Sequence, residues 1–458
     1  MKRFNQYTLV LLLLLPVMAC NKFLEVEPRG VQLLSTVTDY DKWLNNVLLE
    51  GSLAREINLL ADNVDNPVIP DPVVSVNDNI YTWADQFNPT TVNADPLIWK
   101  NHYQSINYFN TVLLGIDQAT GGTEQQKATL KAEALLGRAF EYFYLVNLYG
   151  KPYDALTAAS DIAVPFTLSN DVSDQVPDPS TVKVIYDHIF ADLNAALPNL
   201  PADNPTNRYR GSVAAGYSVL ARVYFYMRNY SEAAKYAQIA LDRAGREMID
   251  YNTITSSANF SYLVIRPDAL YARIAVSFGT TEIPTVEFVK SFDKNDLRLK
   301  YFFSPSGNNN PTARNQVTFR PAGVPSATAY ANWGTSVGEM RLIIAEAAVR
   351  SGDLATALQQ LDAIRKRRFP TAVYQAFQSG DQEEVLEKIL TERKFELTFN
   401  GMRWFDMRRL DKEGRMPTVN RYDAANRVIA TLPPKSVKYT LQIPDEVRYF
   451  NPGWQNTR

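Results

Sequence analysis

The chain has 458 residues, of which 46% are apolar and 12% aromatic, enough to bury a sizeable core without disulfide support. Its 47 basic and 49 acidic residues nearly balance, so the sequence lacks the basic excess typical of nucleic-acid-binding proteins. One cysteine and two histidines exclude an intramolecular disulfide and leave little material for a zinc site or a histidine-dependent catalytic triad. The composition favours a binding protein over an enzyme, and no cofactor is expected.

Residues 1–19 have the pattern of a secretory signal peptide. Two basic residues precede the apolar run Leu9–Val17, which is about half the length that a membrane-spanning helix needs. The run ends in Val-Met-Ala-Cys, which resembles the lipobox of bacterial lipoproteins and predicts cleavage before Cys20 and acylation of that residue. The alternative is an ordinary signal cleavage that leaves a free cysteine. Acyl chains on Cys20 would hold residues 20–458 on a membrane surface.

Two long amphipathic helices are predicted from capping residues and apolar spacing. The first begins at a capping box formed by Thr123 and Gln126 and ends at Gly150. The second begins at Asp381 and carries an apolar stripe as far as Phe399. The body of the chain is therefore expected to be mainly helical.

Two further stretches, 220–240 and 344–357, match the tetratricopeptide pattern. In this pattern small residues allow two antiparallel helices to approach closely. In the first stretch Asn229 is placed to cap the second helix, and in the second stretch Gly352 is placed at the tight turn. We expect both stretches to form helical hairpins, which stack into a rigid scaffold.

The two hairpins are too far apart to be neighbouring repeats, which predicts an insertion at about 245–334. This stretch is rich in Gly, Pro, Ser, Thr and Asn. Its pieces Ala272–Phe278 and Val286–Val289 have β-forming composition. We therefore expect loops and short strands that pack on the helices and carry function.

A series of short motifs follows in a fixed order along the mature chain. They are Phe23–Pro28, Arg138–Phe140, Leu148–Gly150, Asp296–Arg298, Glu392–Leu397, Arg403–Arg409 and Leu441–Pro444. This series resembles the SusD/RagB family of outer-membrane lipoproteins of Bacteroidetes. One departure is Asn400, because the family more often has Glu before the glycine.

The resemblance implies both a fold and a function for residues 20–458. The implied fold is mainly α, a single domain built as a tetratricopeptide-like right-handed superhelix of about four helix pairs with an irregular insertion. The implied protein is anchored at the cell surface by lipid and captures an oligosaccharide, or in some members a peptide. It delivers this ligand to a SusC-like TonB-dependent transporter in the outer membrane and is not an enzyme.

Candidate ligand contacts come from aromatic and amide side chains in the loops. Flat aromatic rings suit the C–H faces of sugars, and we expect Trp83 and Trp333, with Tyr330 beside the latter, to be candidates. Packing in the core is the alternative for each. Asp62 and Asn63 could hydrogen-bond sugar hydroxyls or could simply form turns. No metal is predicted, because this loop lacks the spacing and glycine of an EF-hand.

Two charged features also admit an enzymatic or nucleic-acid-binding interpretation. Glu392 and Glu396 lie one helical turn apart, and a glycoside hydrolase would need two such carboxyl groups about 5–10 Å apart across a cleft. Adjacent basic residues favour an ion-pair network instead. The basic run Arg365–Arg368 is explained by the dipole at a helix end. A protein-interaction lipoprotein without a small ligand is the remaining alternative.

Overall fold

The computed structural model describes residues 34–70, 72–88, 95–255, 261–276, 282–304, 318–319 and 331–457. Cys20 and Tyr330 lie outside these residues. The α-helices are α1 (Val37–Trp43), α2 (Val47–Glu50), α3 (Val76–Tyr81), α4 (Leu97–Gly115), α5 (Glu124–Tyr149), α6 (Val182–Ala196), α7 (Val213–Tyr226), α8 (Tyr230–Ala244), α9 (Val286–Ser291), α10 (Leu297–Phe302), α11 (Val337–Arg350), α12 (Leu354–Arg365), α13 (Gln382–Glu396), α14 (Met402–Lys412) and α15 (Asp445–Phe450).

The long helices pack on their neighbours and build a mainly α fold, as predicted. Helix α4 packs on α5, α5 on α6, α7 on α8, and α11 on both α12 and α13. Helix α8 also packs on α11, which joins the two predicted hairpins although a long stretch of sequence separates them. Their interfaces contain alanines such as Ala221, Ala233 and Ala345, all fully buried, so the helices approach closely.

The local signals at the helix ends are confirmed. Thr123 and Gln126 form a reciprocal capping box at the start of α5. The side chain of Asn229 accepts a hydrogen bond from the backbone of Glu232 and caps α8. Gly352 lies between α11 and α12 with a φ of +86°, in the left-handed region that favours glycine.

The strands that the structure describes are short and join in pairs. They are β1 (Leu53–Ala54), β2 (Val64–Asp65), β3 (Ile162–Pro165), β4 (Pro179–Thr181), β5 (Ala269–Tyr271), β6 (Ala275–Val276), β7 (Ile283–Pro284), β8 (Phe303–Ser304), β9 (Thr318–Phe319), β10 (Thr335–Ser336), β11 (Val419–Tyr422) and β12 (Val428–Leu432). Strands β1 and β6 are parallel, whereas β2–β7, β3–β4, β5–β10, β8–β9 and β11–β12 are antiparallel pairs.

The described part of the stretch 245–334 combines short strands with short helices. The prediction that Val286–Val289 favours a strand is wrong, because these residues begin α9. The side chain of Thr285 accepts a hydrogen bond from the backbone N–H of Phe288 and caps the helix. Phe288 then lies buried against Phe292 and Phe395, so tertiary packing outweighs β-forming composition.

Buried ion pairs connect the helices around the motif Glu392–Leu397. Glu392 lies 2.6 Å from Arg298 of α10 and 2.9 Å from Arg365 of α12, while Glu396 lies 2.6 Å from Arg368. The predicted ion-pair network is thus present, but its partners come from α10, α12 and the turn that follows α12. Arg365 and Arg368 serve as these partners, so the helix dipole alone does not account for the basic run.

Candidate functional site

A cavity of about 420 Å³ lies between the N-terminal part of the chain and its C-terminal segment. It is bordered by α3, the turn at 83–88, the start of α4 and the segment 438–446. Its volume falls within the range of about 300–1,000 Å³ that is typical of small-molecule sites. We call it the Trp83 cavity.

The floor of the Trp83 cavity is apolar and partly aromatic. Ile80, Trp83, Tyr149 and Leu441 line it and are buried, and Phe87 lines it half-buried. Sites for small ligands commonly combine such a floor with a few polar groups that fix the orientation of the ligand.

Trp83 is held firmly in the wall of this cavity. It follows α3 with a φ of +53°, its Nε1–H donates to the carbonyl of Leu60 at 3.0 Å, and only 2% of the residue is exposed. The guanidinium of Arg421 lies 4.3 Å from the centroid of its ring. Because its N–H and part of its ring are used within the protein, Trp83 can offer the cavity an apolar edge and no hydrogen-bond donor.

Arg421 holds this wall in place through contacts that no sequence pattern indicates. Its guanidinium donates to four backbone carbonyls of residues 59–81 at 2.8–3.0 Å and lies against the rings of Tyr81 and Trp83. Burial lowers the pKa of Arg421. Its partners lie 340 to 362 positions earlier in the chain, so no local pattern could have revealed them.

Amide side chains form part of the rim and tie it together. Gln86 donates to the side chain of Gln442 at 3.4 Å and to the carbonyl of Ile443 at 3.3 Å, and accepts from the backbone of Asp445 at 3.1 Å. The turn at 83–88 is thereby attached to the C-terminal segment, which gives the cavity a defined shape.

Carboxyl groups dominate the charged residues that line the Trp83 cavity. Glu56 and Glu446 are buried, whereas Asp85 and Asp95 are exposed. Lys438 is the one basic residue among the lining residues that the structure describes. Asp95 is paired with Lys100 at 2.6 Å, and Arg421 lies behind the Trp83 ring, so positive groups accompany these carboxyl groups.

Glu446 has one carboxyl oxygen that is buried and unsatisfied. The residue is 6% exposed, and within the part of the chain that the structure describes its Oε1 atom has no hydrogen-bond partner. Burial, followed by the charge of Glu446, raises the pKa of the Tyr149 hydroxyl well above its ordinary value. Tyr149 therefore stays neutral.

Trp333 does not line the Trp83 cavity. It is 2% exposed, and its carbonyl accepts hydrogen bonds from the hydroxyl of Tyr144 at 2.8 Å and from Arg222 at 3.1 Å. Its ring packs over Gly401, whose missing Cβ leaves room for it. Ligand contact by Trp333 stays a prediction, as does contact by Tyr330, which lies outside the described residues.

Asp62 and Asn63 also lie away from the lining of the Trp83 cavity. Asp62 accepts hydrogen bonds from Arg403 at 2.6 and 2.8 Å, and Lys394 lies 3.4 Å away. Burial opposes ionisation, but Arg403 and Lys394 outweigh it and hold the pKa of Asp62 well below its usual range. Asn63 is 1% exposed, and its backbone carbonyl accepts a hydrogen bond from the backbone N–H of Thr285. Their contact with a ligand stays a prediction.

The carboxyl and histidine side chains that could serve catalysis or metal binding are paired with other side chains away from the Trp83 cavity. Glu392 and Glu396 are bound to arginines, as described above. His102 of α4 lies 2.7 Å from Glu141 of α5 in the core. Among the described residues there is no group of three or more His, Cys, Asp or Glu side chains arranged to hold a metal ion.

Within the described ranges, no helix combines the length and the apolar character needed to cross a bilayer. The predicted anchor at Cys20 lies outside these ranges.

Curated proteins similar to this chain carry SusD-like names. A protein of Formosa agariphila named SusD-like protein P2 is 25% identical over 401 residues, which cover 72% of this chain and 75% of that protein. A SusD-like protein of Bacteroides ovatus is 28% identical over 132 residues, covering 28% of this chain and 21% of that protein.

Solved structures share the fold at lower identity. A SusD superfamily protein from Bacteroides thetaiotaomicron matches with a TM-score of 0.74 and 20% identity, covering 92% of this chain and all of the other. A SusD-like carbohydrate binding protein from Bacteroides vulgatus matches with a TM-score of 0.70 and 19% identity, covering 92% of this chain and 97% of the other.

Two family models match consecutive parts of the chain. Residues 22–225 match the model described as starch-binding associating with outer membrane, and residues 285–456 match the model of the SusD family. Together they account for both the helices before the insertion and the motifs after it. The chain belongs to the SusD/RagB family.

Proposed function

We propose that this protein is a cell-surface lipoprotein of the outer membrane that captures an oligosaccharide and passes it unchanged to a SusC-like TonB-dependent transporter. We assign the capture site to the Trp83 cavity. The observation that carries this assignment is an apolar, aromatic floor beside amide and carboxyl groups, in a space large enough for a small ligand.

Binding by the mature protein is the first test. Residues 20–458 carrying Cys20→Ala are purified without detergent and titrated calorimetrically with a panel of oligosaccharides and peptides. We expect at least one oligosaccharide to bind and none to be cleaved. Binding of peptides alone would favour a peptide-binding member of the family. Absence of both, with co-purification of another protein from native membranes, would favour the protein-interaction alternative, and turnover would indicate a hydrolase.

The location of the site is tested with a half-buried aromatic residue. Phe87→Ala removes a side chain from the cavity, and Phe190→Ala removes a similar half-buried side chain that packs on Tyr224 elsewhere. We expect Phe87→Ala to lower the affinity at least about tenfold, the effect of one well-packed anchor, and Phe190→Ala to leave it unchanged. Equal affinities in the two variants would move the site away from the Trp83 cavity.

The anchor and the transporter are tested in the native host. We expect labelled palmitate to enter the parent protein and not Cys20→Ala, which should leave the membrane fraction. A TonB-dependent transporter should co-purify with the parent protein from solubilised outer membranes. Membrane retention of Cys20→Ala without label would contradict the lipid anchor.

A further inference from the structure

We infer that Tyr449 and Phe450, which we call the α15 aromatic pair, form a second contact surface for the oligosaccharide outside the Trp83 cavity. This inference rests on the function proposed above and extends the same site to longer ligands. It is carried by the exposure of both rings, by the hydroxyl group of Tyr449 and by the position of the pair beside the cavity.

The α15 aromatic pair is exposed to solvent rather than packed in the core. Tyr449 is 63% exposed and Phe450 is 74% exposed, which makes them the two most exposed of the aromatic residues that the structure describes. Their rings meet at an interplanar angle of 88°, with centroids 5.1 Å apart. Rings that are this exposed contribute little to core packing, so stability does not account for two neighbouring aromatic residues here.

Helix α15 places the pair beside the Trp83 cavity. Pro444 and Glu446 line the cavity at the start of this helix. The pair follows Glu446 by three and four residues, about 5–6 Å along the helix axis, and residues at these spacings share one helix face. This face is buried at Glu446 and exposed one turn later. A ligand that extends out of the cavity along α15 would therefore meet the two rings.

The chemistry of the α15 aromatic pair suits a sugar chain. Two rings at a right angle offer both a face and an edge to the C–H groups of a sugar ring. The Tyr449 hydroxyl makes no hydrogen bond within the described part of the chain, and it can both donate to and accept from sugar hydroxyls.

The size of the pair favours a small ligand over a protein partner. A stable protein interface buries about 800 Å² on each partner, whereas two aromatic side chains supply at most about 300–500 Å². On the same helix, the exposed Asp445 forms an ion pair with Arg448 at 3.2 Å. Charged groups therefore border the pair, and the apolar surface of α15 is narrow.

The test compares short and long oligomers of the same sugar. The mature protein carrying Cys20→Ala is titrated with disaccharides and with long oligomers of glucose, xylose, mannose and galactose. We expect a long oligomer to bind at least about fivefold more tightly than its disaccharide. Tyr449→Ala with Phe450→Ala should remove most of this advantage and leave the affinity for the disaccharide unchanged.

Three results would overturn the inference. They are the absence of a length advantage in the parent protein, an undiminished advantage in the double variant, and an equal loss of affinity for short and long oligomers, which would indicate damage to the cavity itself. Binding of no oligomer at all by the parent protein would instead count against the proposed function.

Control variants separate the aromatic rings from other effects. Tyr262→Ala removes another exposed tyrosine, which does not line the cavity, and should leave the length advantage unchanged. Tyr449→Phe keeps the ring and should retain most of the advantage. The double variant should still co-purify with the transporter from solubilised outer membranes. Loss of the transporter together with an undiminished length advantage would assign the pair to protein docking and overturn the inference.

Discussion

Gly401 offers a quantitative test of the packing beneath the motif Arg403–Arg409. It precedes α14 with a φ of +83°, and a Cβ added there would lie 2.2 Å from Cζ3 and 2.4 Å from Cε3 of Trp333. Gly352 has a similar φ of +86° but no atom within 4 Å of an added Cβ. The two glycines therefore share the backbone strain of a substitution and differ only in the clash.

The clash at Gly401 determines how much more unfolding free energy Gly401→Ala should lose than Gly352→Ala. An alanine in the left-handed region costs about 1–2 kcal/mol, which is the expected loss for Gly352→Ala. Overpacking against a buried ring costs a further 1–3 kcal/mol or so, which raises the expected loss for Gly401→Ala to about 2–5 kcal/mol. The entropy that alanine removes from the unfolded chain is the same at both positions and cancels.

The assay is urea unfolding of the mature protein, followed by circular dichroism at a helix-sensitive wavelength. A double-mutant cycle with Trp333→Leu isolates the clash, and we expect a coupling energy of at least about 1 kcal/mol between positions 401 and 333. Equal losses in Gly352→Ala and Gly401→Ala, or additive effects in the cycle, would refute this account of the contact.

Three other predictions follow from buried groups. Basic partners outweigh burial and lower the pKa of Asp62, so its stabilising effect is full above the unfolded pKa of about 3.9 and is lost as the pH falls through the folded pKa. Asp62→Asn should therefore lower the free energy of unfolding by about 2–3 kcal/mol at neutral pH. In urea unfolding, the difference from the parent should shrink below about pH 4, and a pH-independent difference would contradict this. Gly137→Ala should lower the free energy of unfolding by about 1–3 kcal/mol despite the helix preference of alanine, because its Cβ would lie 2.1 Å from the Phe109 ring, and Phe109→Leu should relieve the loss. Glu392→Gln should cost about 3–5 kcal/mol in the same assay, whereas Glu383→Gln, at an exposed ion pair, should cost less than about 1 kcal/mol.

Local signals allowed the helical part of the fold to be predicted. The caps at Thr123 and Asn229 and the turn at Gly352 depend on residues within a few positions of one another, so a sequence pattern contains all the information needed. Val286–Val289 shows the limit of this reasoning. Its composition favours a strand, but the Thr285 cap and the contact of Phe288 with the distant Phe395 stabilise a helix instead.

The candidate site was only partly predictable, because it is assembled from distant parts of the chain. Trp83 stood out as a loop tryptophan and does line a cavity. Arg421, which fixes the wall behind it, and Glu446, which leaves an oxygen unsatisfied, have no distinguishing sequence context. Similarly, the partners of Glu392 come from α10 and α12, and only the packing of these helices brings the charges together.

The attachment of Arg421 to carbonyl groups of residues 59–81 has a consequence for biogenesis. Synthesis proceeds from the amino terminus, so helices α1–α14 are made before Arg421, which fixes the wall around Trp83. A polypeptide that ends before residue 421 lacks this attachment, and one that ends before residue 438 also lacks the segment 438–446 that lines the Trp83 cavity. The Trp83 cavity is thus completed last, and its presence distinguishes finished molecules from fragments that retain most of the helices.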